Sequence, residues 1–322
     1  MLTEQQKEYI IKRLHEKGIG INTQDCVLEY CEVNAKLYAN VIPIKDIVDR
    51  VVNNLDEDIK YYGKISYSRY NTKEKNIKLS LLEHGKSKNN TIFHELDHVA
   101  TSSKDNLKQA NGNKRQEILV CGIDMDLSLN GGKLISFTGL NEGITEYKVM
   151  KYVNYLKANR INVERYRLKS CYLPYINVIS QLVDIVGEDT IIKDQFYGDI
   201  IDLFKKFEQQ VQGKYNIFQI VDDMNNSVWE DNKNLFHPIR TIKAQKQLKE
   251  KLTISKLIKK CTDLGIELSE QEMNEKDLKD IIHSNYKRTK ENKRIDFIPK
   301  VKVKGIPMQP REAYKGKNIE ER

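Results

Sequence analysis

The segment His94-Glu95-Leu96-Asp97-His98 constrains this chain more than any other part of its sequence. On a helix, residues i and i+4 lie on one face, so the two imidazoles can close on one metal ion. Glu95 then lies one step round the helix, within reach of a water on that metal. Zinc with three protein ligands keeps its fourth position for water. The pattern therefore predicts a zinc hydrolase with Glu95 as the general base.

The residues around this motif favour a buried helix that follows a β-hairpin. Four apolar residues surround the His pair: Ile92, Phe93, Leu96 and Val99. Residues 65–70 and 77–82 alternate in polarity on either side of a polar turn, which predicts two paired strands. Asn90 or Thr91 can cap the helix that follows. The alternative is a surface helix that carries two His by chance, and the apolar neighbours argue against it.

A second motif, Asn141-Glu142-Gly143-Ile144-Thr145-Glu146, opens another predicted helix downstream. Glu142 and Glu146 are four residues apart and share a face. Glu142 can take the third coordination position, and Glu146 can fix the tautomer of a ligating His by bonding its outer nitrogen. Two Glu at this spacing are otherwise typical of a solvated helix face. The neighbouring HExxH motif favours metal ligation instead.

Together, HELDH and NEGITE resemble the gluzincin pattern, HExxH followed by N-E-x-x-[ST]-[DE], as in thermolysin-like metallopeptidases. The phrases FHELDHVA and LNEGITEY are also similar to those of uncharacterised cytosolic zincin-like proteins of low-GC Gram-positive bacteria. The resemblance covers roughly residues 60–155. It implies three ligands for one zinc ion per chain: His94, His98 and Glu142. It also implies Glu95 as general base and Glu146 as the partner of His94, although the gap between the motifs is longer than in thermolysin.

The reaction expected of such a site is hydrolysis of a peptide bond in a peptide or protein substrate. Glu95 would take a proton from water and pass it to the leaving amine. Reactions of this type also need a donor for the oxyanion. The candidate donors are His237, Tyr166 and Tyr172. The alternative, which the sequence favours, is a surface or turn position for His237, and a Tyr at helical spacing more often belongs to the core. Hydrolysis of a non-peptide amide is a further option, and another divalent ion suits the same ligands.

Composition favours a cytoplasmic chain without a membrane segment. Of 322 residues, 39% are hydrophobic and 31% charged, and no apolar run approaches the ~20 residues of a membrane span. The first residues lack the basic and apolar pattern of a signal peptide. The five Cys are an odd number without a C-x-x-C pair, which favours reduced thiols.

The net charge of +8 is concentrated near the C-terminal end. Residues 287–322 contain twelve Lys and Arg against five acidic residues, with several Pro and little periodicity. This composition predicts a flexible, solvated tail. The alternative function is a regulatory or binding protein on a zincin scaffold, whose basic tail contacts nucleic acid or an acidic partner. The presence of Glu95 favours the enzyme, because a site that no longer catalyses a reaction does not need a general base.

The expected fold is α+β: a zincin-like N-terminal lobe with a hairpin and the active-site helix, packed on a mainly helical C-terminal lobe with zinc between them. Four regions are predicted: a helical segment at 1–60, the catalytic lobe at 61–160, the helical lobe at 161–284 and the basic tail at 285–322.

Local patterns predict individual elements within these regions. Thr3 is the expected cap of a first helix, and residues 41–55 have the apolar spacing of an amphipathic one. Residues 102–116 predict a loop, and 118–123 with 133–137 predict a second hairpin around Asn130-Gly131-Gly132. Further helices are predicted at 172–186, 200–211, 217–228 and 239–261.

Overall fold

The computed structural model describes residues 1–62, 68–80, 88–105, 118–124, 126–128, 134–159, 173–227, 238–269 and 274–296. Over these ranges the chain forms eleven helices and seven short strands. The helices are α1 (Glu4–Glu16), α2 (Ile21–Tyr38), α3 (Ile44–Asn54), α4 (Lys88–Thr101), α5 (Thr138–Ala158), α6 (Leu173–Val186), α7 (Glu188–Tyr197), α8 (Ile200–Gln210), α9 (Ile217–Ser227), α10 (Pro238–Asp263) and α11 (Glu275–Asp296). The strands are β1 (Lys60–Tyr62), β2 (Arg69–Asn71), β3 (Asn76–Ser80), β4 (Ser102–Asp105), β5 (Ile118–Cys121), β6 (Asp126–Ser128) and β7 (Leu134–Ser136).

The N-terminal helices form where local sequence signals predict them. Thr3 caps α1: its hydroxyl accepts a hydrogen bond from the amide of Gln6, and the Gln6 side chain accepts one from the amide of Thr3. The predicted amphipathic segment 41–55 contains α3, which buries one apolar face made of Ile47, Val48, Val51 and Val52. Both predictions are confirmed.

The main sheet has three strands in the order β1-β3-β2. β2 pairs antiparallel with β3, with Tyr70 opposite Ile77, so the first predicted hairpin is confirmed over these strands. Its outer residues 65–67 and 81–82 lie outside the described ranges. β1 adds to β3 in parallel, with Lys60 opposite Lys78. This small sheet packs beside α4 and supports the helix that carries the His pair.

The predictions for the segment between the two motifs are wrong in two places. Residues 102–105, predicted as part of a loop, form β4, which pairs antiparallel with β5. β7 pairs with β6 and not with β5, so the predicted second hairpin had the wrong partner strand. The polar sequence Ser-Ser-Lys-Asp gives no alternating apolar signal for β4. Backbone pairing and the contact of the Ser102 hydroxyl with Sγ of Cys121 hold this strand to its partner. Asn130-Gly131-Gly132 lies outside the described residues.

The C-terminal part is helical, as predicted. The expected helices correspond to α6, α8, α9 and α10, and α6 ends directly before Gly187. The apolar patterns predict no separate helix at α7 or α11. α11 continues to Asp296, so residues 285–296 of the predicted tail are helical, as their many Lys, Glu and Arg residues permit. Residues 297–322 lie outside the described part of the chain.

One continuous apolar core joins these elements. It extends from α1 to α11 and includes residues of the main sheet, such as Ile77 and Leu79. α5 approaches α6 closely at Gly143, where an added Cβ would lie 2.9 Å from Cβ of Tyr175 and 3.0 Å from Cγ1 of Ile179. The described chain is thus mostly helical with three small sheets, in agreement with the α+β class. None of its described helices has both the length and the apolar character required to cross a membrane.

Candidate metal centre

The helices α4 and α5 face each other and bring the two sequence motifs together. His94 and His98 project from one face of α4 toward Glu142 on α5. One ligand atom from each residue lies within 4.8 Å of the other two. Among the described residues, this is the group of His, Cys, Asp and Glu side chains that can hold a metal ion.

The distances within this group fit a four-coordinate metal. Nε2 of His94 lies 3.1 Å from Nε2 of His98 and 2.9 Å from Oε2 of Glu142. Nε2 of His98 lies 3.2 Å from Oε1 of Glu142. Tetrahedral ligands at zinc bond lengths are separated by about 3.3 Å. Two imidazoles and a carboxylate therefore stand at nearly the spacing that one small divalent ion imposes, and this donor set suits zinc among other ions.

The hydrogen bonds of the group also favour a positive charge at its centre. Nδ1 of His94 lies 2.9 Å from Oε2 of Glu146, so Nδ1–H donates to that carboxylate. A neutral His94 then presents the lone pair of Nε2 to the carboxylate of Glu142, and two acceptors at 2.9 Å repel each other. A proton or a metal ion between them removes this repulsion. Glu146 therefore lies against the outer nitrogen of a candidate ligand.

The pKa values of the candidate ligands also reflect the attraction between the two imidazoles and Glu142. Burial lowers the pKa of His94 and of His98, but hydrogen bonding and attraction to Glu142 outweigh it and raise both above the ordinary value. Burial raises the pKa of Glu142, but the two imidazoles hold it well below its ordinary value. The group thus stabilises positive charge at its centre, where a divalent cation would replace protons.

Glu95, the predicted general base, is buried beside the candidate ligands. Its side chain is 4% exposed, and the imidazoles of His94 and His98 and the carboxylate of Glu142 act electrostatically on its carboxylate. Burial raises the pKa of Glu95 above its ordinary value. A carboxylate with a raised pKa is a better proton acceptor near neutral pH.

Access to the group is from the side of Glu142. The side chains of His94 and His98 are 7% and 10% exposed, whereas that of Glu142 is 24% exposed. Glu142 is therefore the candidate ligand with the most contact with solvent.

Asn141, the first residue of the second motif, fixes the start of α5. It is fully buried, and its Oδ1 accepts hydrogen bonds from the amide of Ile123 and from the side chain of Gln195 on α7. Gly122 makes room for it, because a Cβ there would lie 2.5 Å from Oδ1 of Asn141. Gly122 also has a φ of 57°, which other residues rarely adopt.

Two side chains of α3 hold the C-terminal end of α4, just after His98. Asn54 donates to the carbonyls of Val99 and Ser102 at 3.1 and 2.8 Å. Arg50 donates to the carbonyl of Thr101 and to that of Phe196 at the end of α7, and its guanidinium lies 4.2 Å from the centre of the Phe196 ring. These contacts satisfy carbonyls that a helix end leaves unpaired.

Sequence reasoning missed a buried polar cluster next to the candidate ligands. Asp97 accepts hydrogen bonds from Tyr30 of α2 and from Thr145 and Lys148 of α5. The signal was present: an Asp on the apolar side of a core helix needs partners, and buried Lys is the matching charge.

Three candidate oxyanion donors, Tyr166, Tyr172 and His237, lie outside the described residues. Comparison of the chain with protein-family models, with curated proteins and with solved structures finds no match.

Proposed function

We propose that this chain is a zinc-dependent metallopeptidase of the gluzincin type, with one zinc ion held by His94, His98 and Glu142. The observation that carries the proposal is the meeting of the two motifs: three ligand atoms lie within 4.8 Å of one another, and Glu146 lies directly behind His94. A chance pair of His on a surface helix has no reason to be buried against two carboxylates of a second helix.

The chemistry follows from the positions of the chain's own side chains. When bound, zinc lowers the pKa of a coordinated water to about 7 and polarises a carbonyl oxygen. Glu95 accepts the proton of the attacking water and delivers it to the leaving amine. Glu146 keeps His94 in the tautomer that presents Nε2, so the imidazole remains a neutral ligand through the reaction.

The proposed substrate is a peptide bond, because the gluzincin pattern is the basis of the assignment. The binding-protein alternative depends on the basic tail, and most of that tail lies outside the described residues. That alternative stays a prediction of the sequence. It is separable from the enzyme by experiment, since it requires the tail and not Glu95.

The deciding experiment is elemental analysis of the wild type and of Glu142→Ala, with a peptide-library cleavage assay on the same samples. Glu208→Ala, an exposed Glu of α8, is the matched control. One zinc per chain, lost in Glu142→Ala but kept in the control, together with cleavage that a chelator abolishes, is the expected result. Zinc without cleavage would contradict the peptidase and leave the metal centre standing. Absence of any bound metal would overturn both.

A further inference from the structure

Asp97 and Lys148 form a buried ion pair between α4 and α5. The two residues are 1% and 5% exposed, and Nζ of Lys148 contacts Oδ1 of Asp97. The hydroxyl of Tyr30 lies 2.9 Å from Oδ1, and that of Thr145 lies 3.1 Å from Oδ2. Both carboxylate oxygens are therefore occupied, as a buried charge requires.

This cluster links the chain segments that carry the candidate ligands. Asp97 directly precedes His98 on α4, and Thr145 directly precedes Glu146 on α5. Successive residues of a helix point in different directions. Asp97 therefore contacts α5 at a different place from His94 and His98. Two adjacent sets of contacts thus join α4 to α5: the candidate metal ligands, and the hydrogen bonds and ion pair of Asp97.

The two imidazoles differ in how they are oriented. Nδ1 of His94 is held by Glu146. Nδ1 of His98 is buried and has no hydrogen-bond partner within the described ranges. The orientation of His98 therefore depends on the position of α4 itself, and the polar contacts of the next residue, Asp97, bear directly on that position.

We propose that Asp97 and Lys148 are positioning residues of the metal centre, which set α4 against α5 so that His98 meets Glu142. The inference rests on the metal centre of the proposed function. A slip of one residue along a helix displaces its side chains by about 1.5 Å along the axis. Such a slip would separate Nε2 of His98 from Oε1 of Glu142, which lie 3.2 Å apart. A slip would also separate the buried carboxylate from the ammonium and leave each as an uncompensated buried charge, which is strongly destabilising.

Tyr30→Phe and Tyr152→Phe make a matched pair for the test. Both tyrosines are buried and stack on Phe93 of α4, with ring centroids 5.8 and 3.6 Å from it. Tyr30 donates to Asp97, whereas the donors to Asp97 in the described part of the chain do not include Tyr152. Removing either hydroxyl keeps the ring, so both variants retain the apolar packing. Lys148→Met removes the ion pair itself at similar length.

The measurements are the dissociation constant for zinc, by competition with a chromophoric chelator, and the visible absorption spectrum of the Co²⁺-substituted protein. Both are made well below the unfolding temperature of each variant, so a change reports the geometry of the site and not the loss of folded protein. We expect Lys148→Met to weaken zinc binding by roughly 10- to 100-fold and to alter the Co²⁺ spectrum, as loss of other outer supports does. Tyr30→Phe should show the same changes to a smaller degree, and Tyr152→Phe should match the wild type.

Wild-type zinc affinity and an unchanged Co²⁺ spectrum in Lys148→Met and Tyr30→Phe would overturn the inference, even if both variants unfold at lower temperature. Equal weakening in Tyr152→Phe would also overturn it. If Lys148→Met does not fold, the comparison of the two Tyr variants decides. A wild type that binds no zinc would instead overturn the proposed function, and the inference with it.

Discussion

Oε2 of Glu146 lies 2.9 Å from Nδ1 of His94, and this buried contact determines which ring nitrogen faces Glu142. Replacing Glu146 with Ala frees the tautomer and the ring orientation of His94. We expect zinc affinity to fall by roughly 10- to 100-fold. Glu146→Gln should lose less zinc affinity than Glu146→Ala, because the amide oxygen of Gln still accepts the hydrogen bond from Nδ1–H of His94. Titration with a zinc chelator measures both variants, and equal affinity in all three proteins would contradict this role.

Glu95→Gln separates metal binding from proton transfer. The substitution preserves the size of the side chain but removes its ability to accept a proton, so zinc should remain bound at wild-type stoichiometry while peptide hydrolysis is lost. Metal content and single-turnover cleavage of a peptide identified from the library are the measurements. Hydrolysis that survives in this variant would mean that another group accepts the proton.

Gly143→Ala tests the close approach of α5 to α6. Within a helix, Gly→Ala usually stabilises by about 0.5–1 kcal/mol. Here the new Cβ would lie 2.9 Å from Tyr175 and 3.0 Å from Ile179, and overpacking of this kind costs about 1–3 kcal/mol. We expect a net loss of stability in denaturant unfolding. A gain would show that α6 moves away at little cost.

Because of Asp194, we expect the free energy of unfolding to depend on pH. Burial raises its pKa from 3.8 to about 7, with Lys206 opposing the rise and Asp202 adding to it. Because the folded chain keeps this proton up to about pH 7 and the unfolded chain releases it near 3.8, the stability that it contributes falls as pH rises between these values. Allowing for solvent screening, the change is on the order of 1–2 kcal/mol.

Asp194→Asn removes this titration. Relative to the wild type, it should therefore gain on the order of 1–2 kcal/mol between pH 4 and pH 8 in urea unfolding. Asp189→Asn, at an exposed position on the same helix, is the control. Its free energy of unfolding should change with pH as that of the wild type does. Parallel curves for Asp194→Asn and the wild type would show that Asp194 ionises normally in the folded chain.

Features with a local cause could be predicted from the sequence. The Thr3 cap and the apolar face of α3 depend on residues close together in the chain, and so does the i, i+4 spacing of His94 and His98. The pairing of β4 with β5 could not be predicted, because its polar residues carry no periodic signal and its partner lies beyond a long connection. For Lys148 the sequence carries only half of the signal: Asp97 on an apolar helix face needs a partner, but that partner lies on another helix, and a single Lys on a helix is ordinarily solvated.

The contacts of Arg50 and Asn54 mean that the candidate metal centre depends on parts of the chain outside its two motifs. Both side chains belong to the region predicted as 1–60, yet they fasten the end of the helix that carries His98, and Arg50 also reaches Phe196 beyond residue 160. A fragment limited to residues 61–160 would contain the candidate ligands and Glu95 but lack these fastenings. Grafting the two motifs into another scaffold would therefore transfer the candidate ligands without the contacts from α2 and α3 that hold α4 in place.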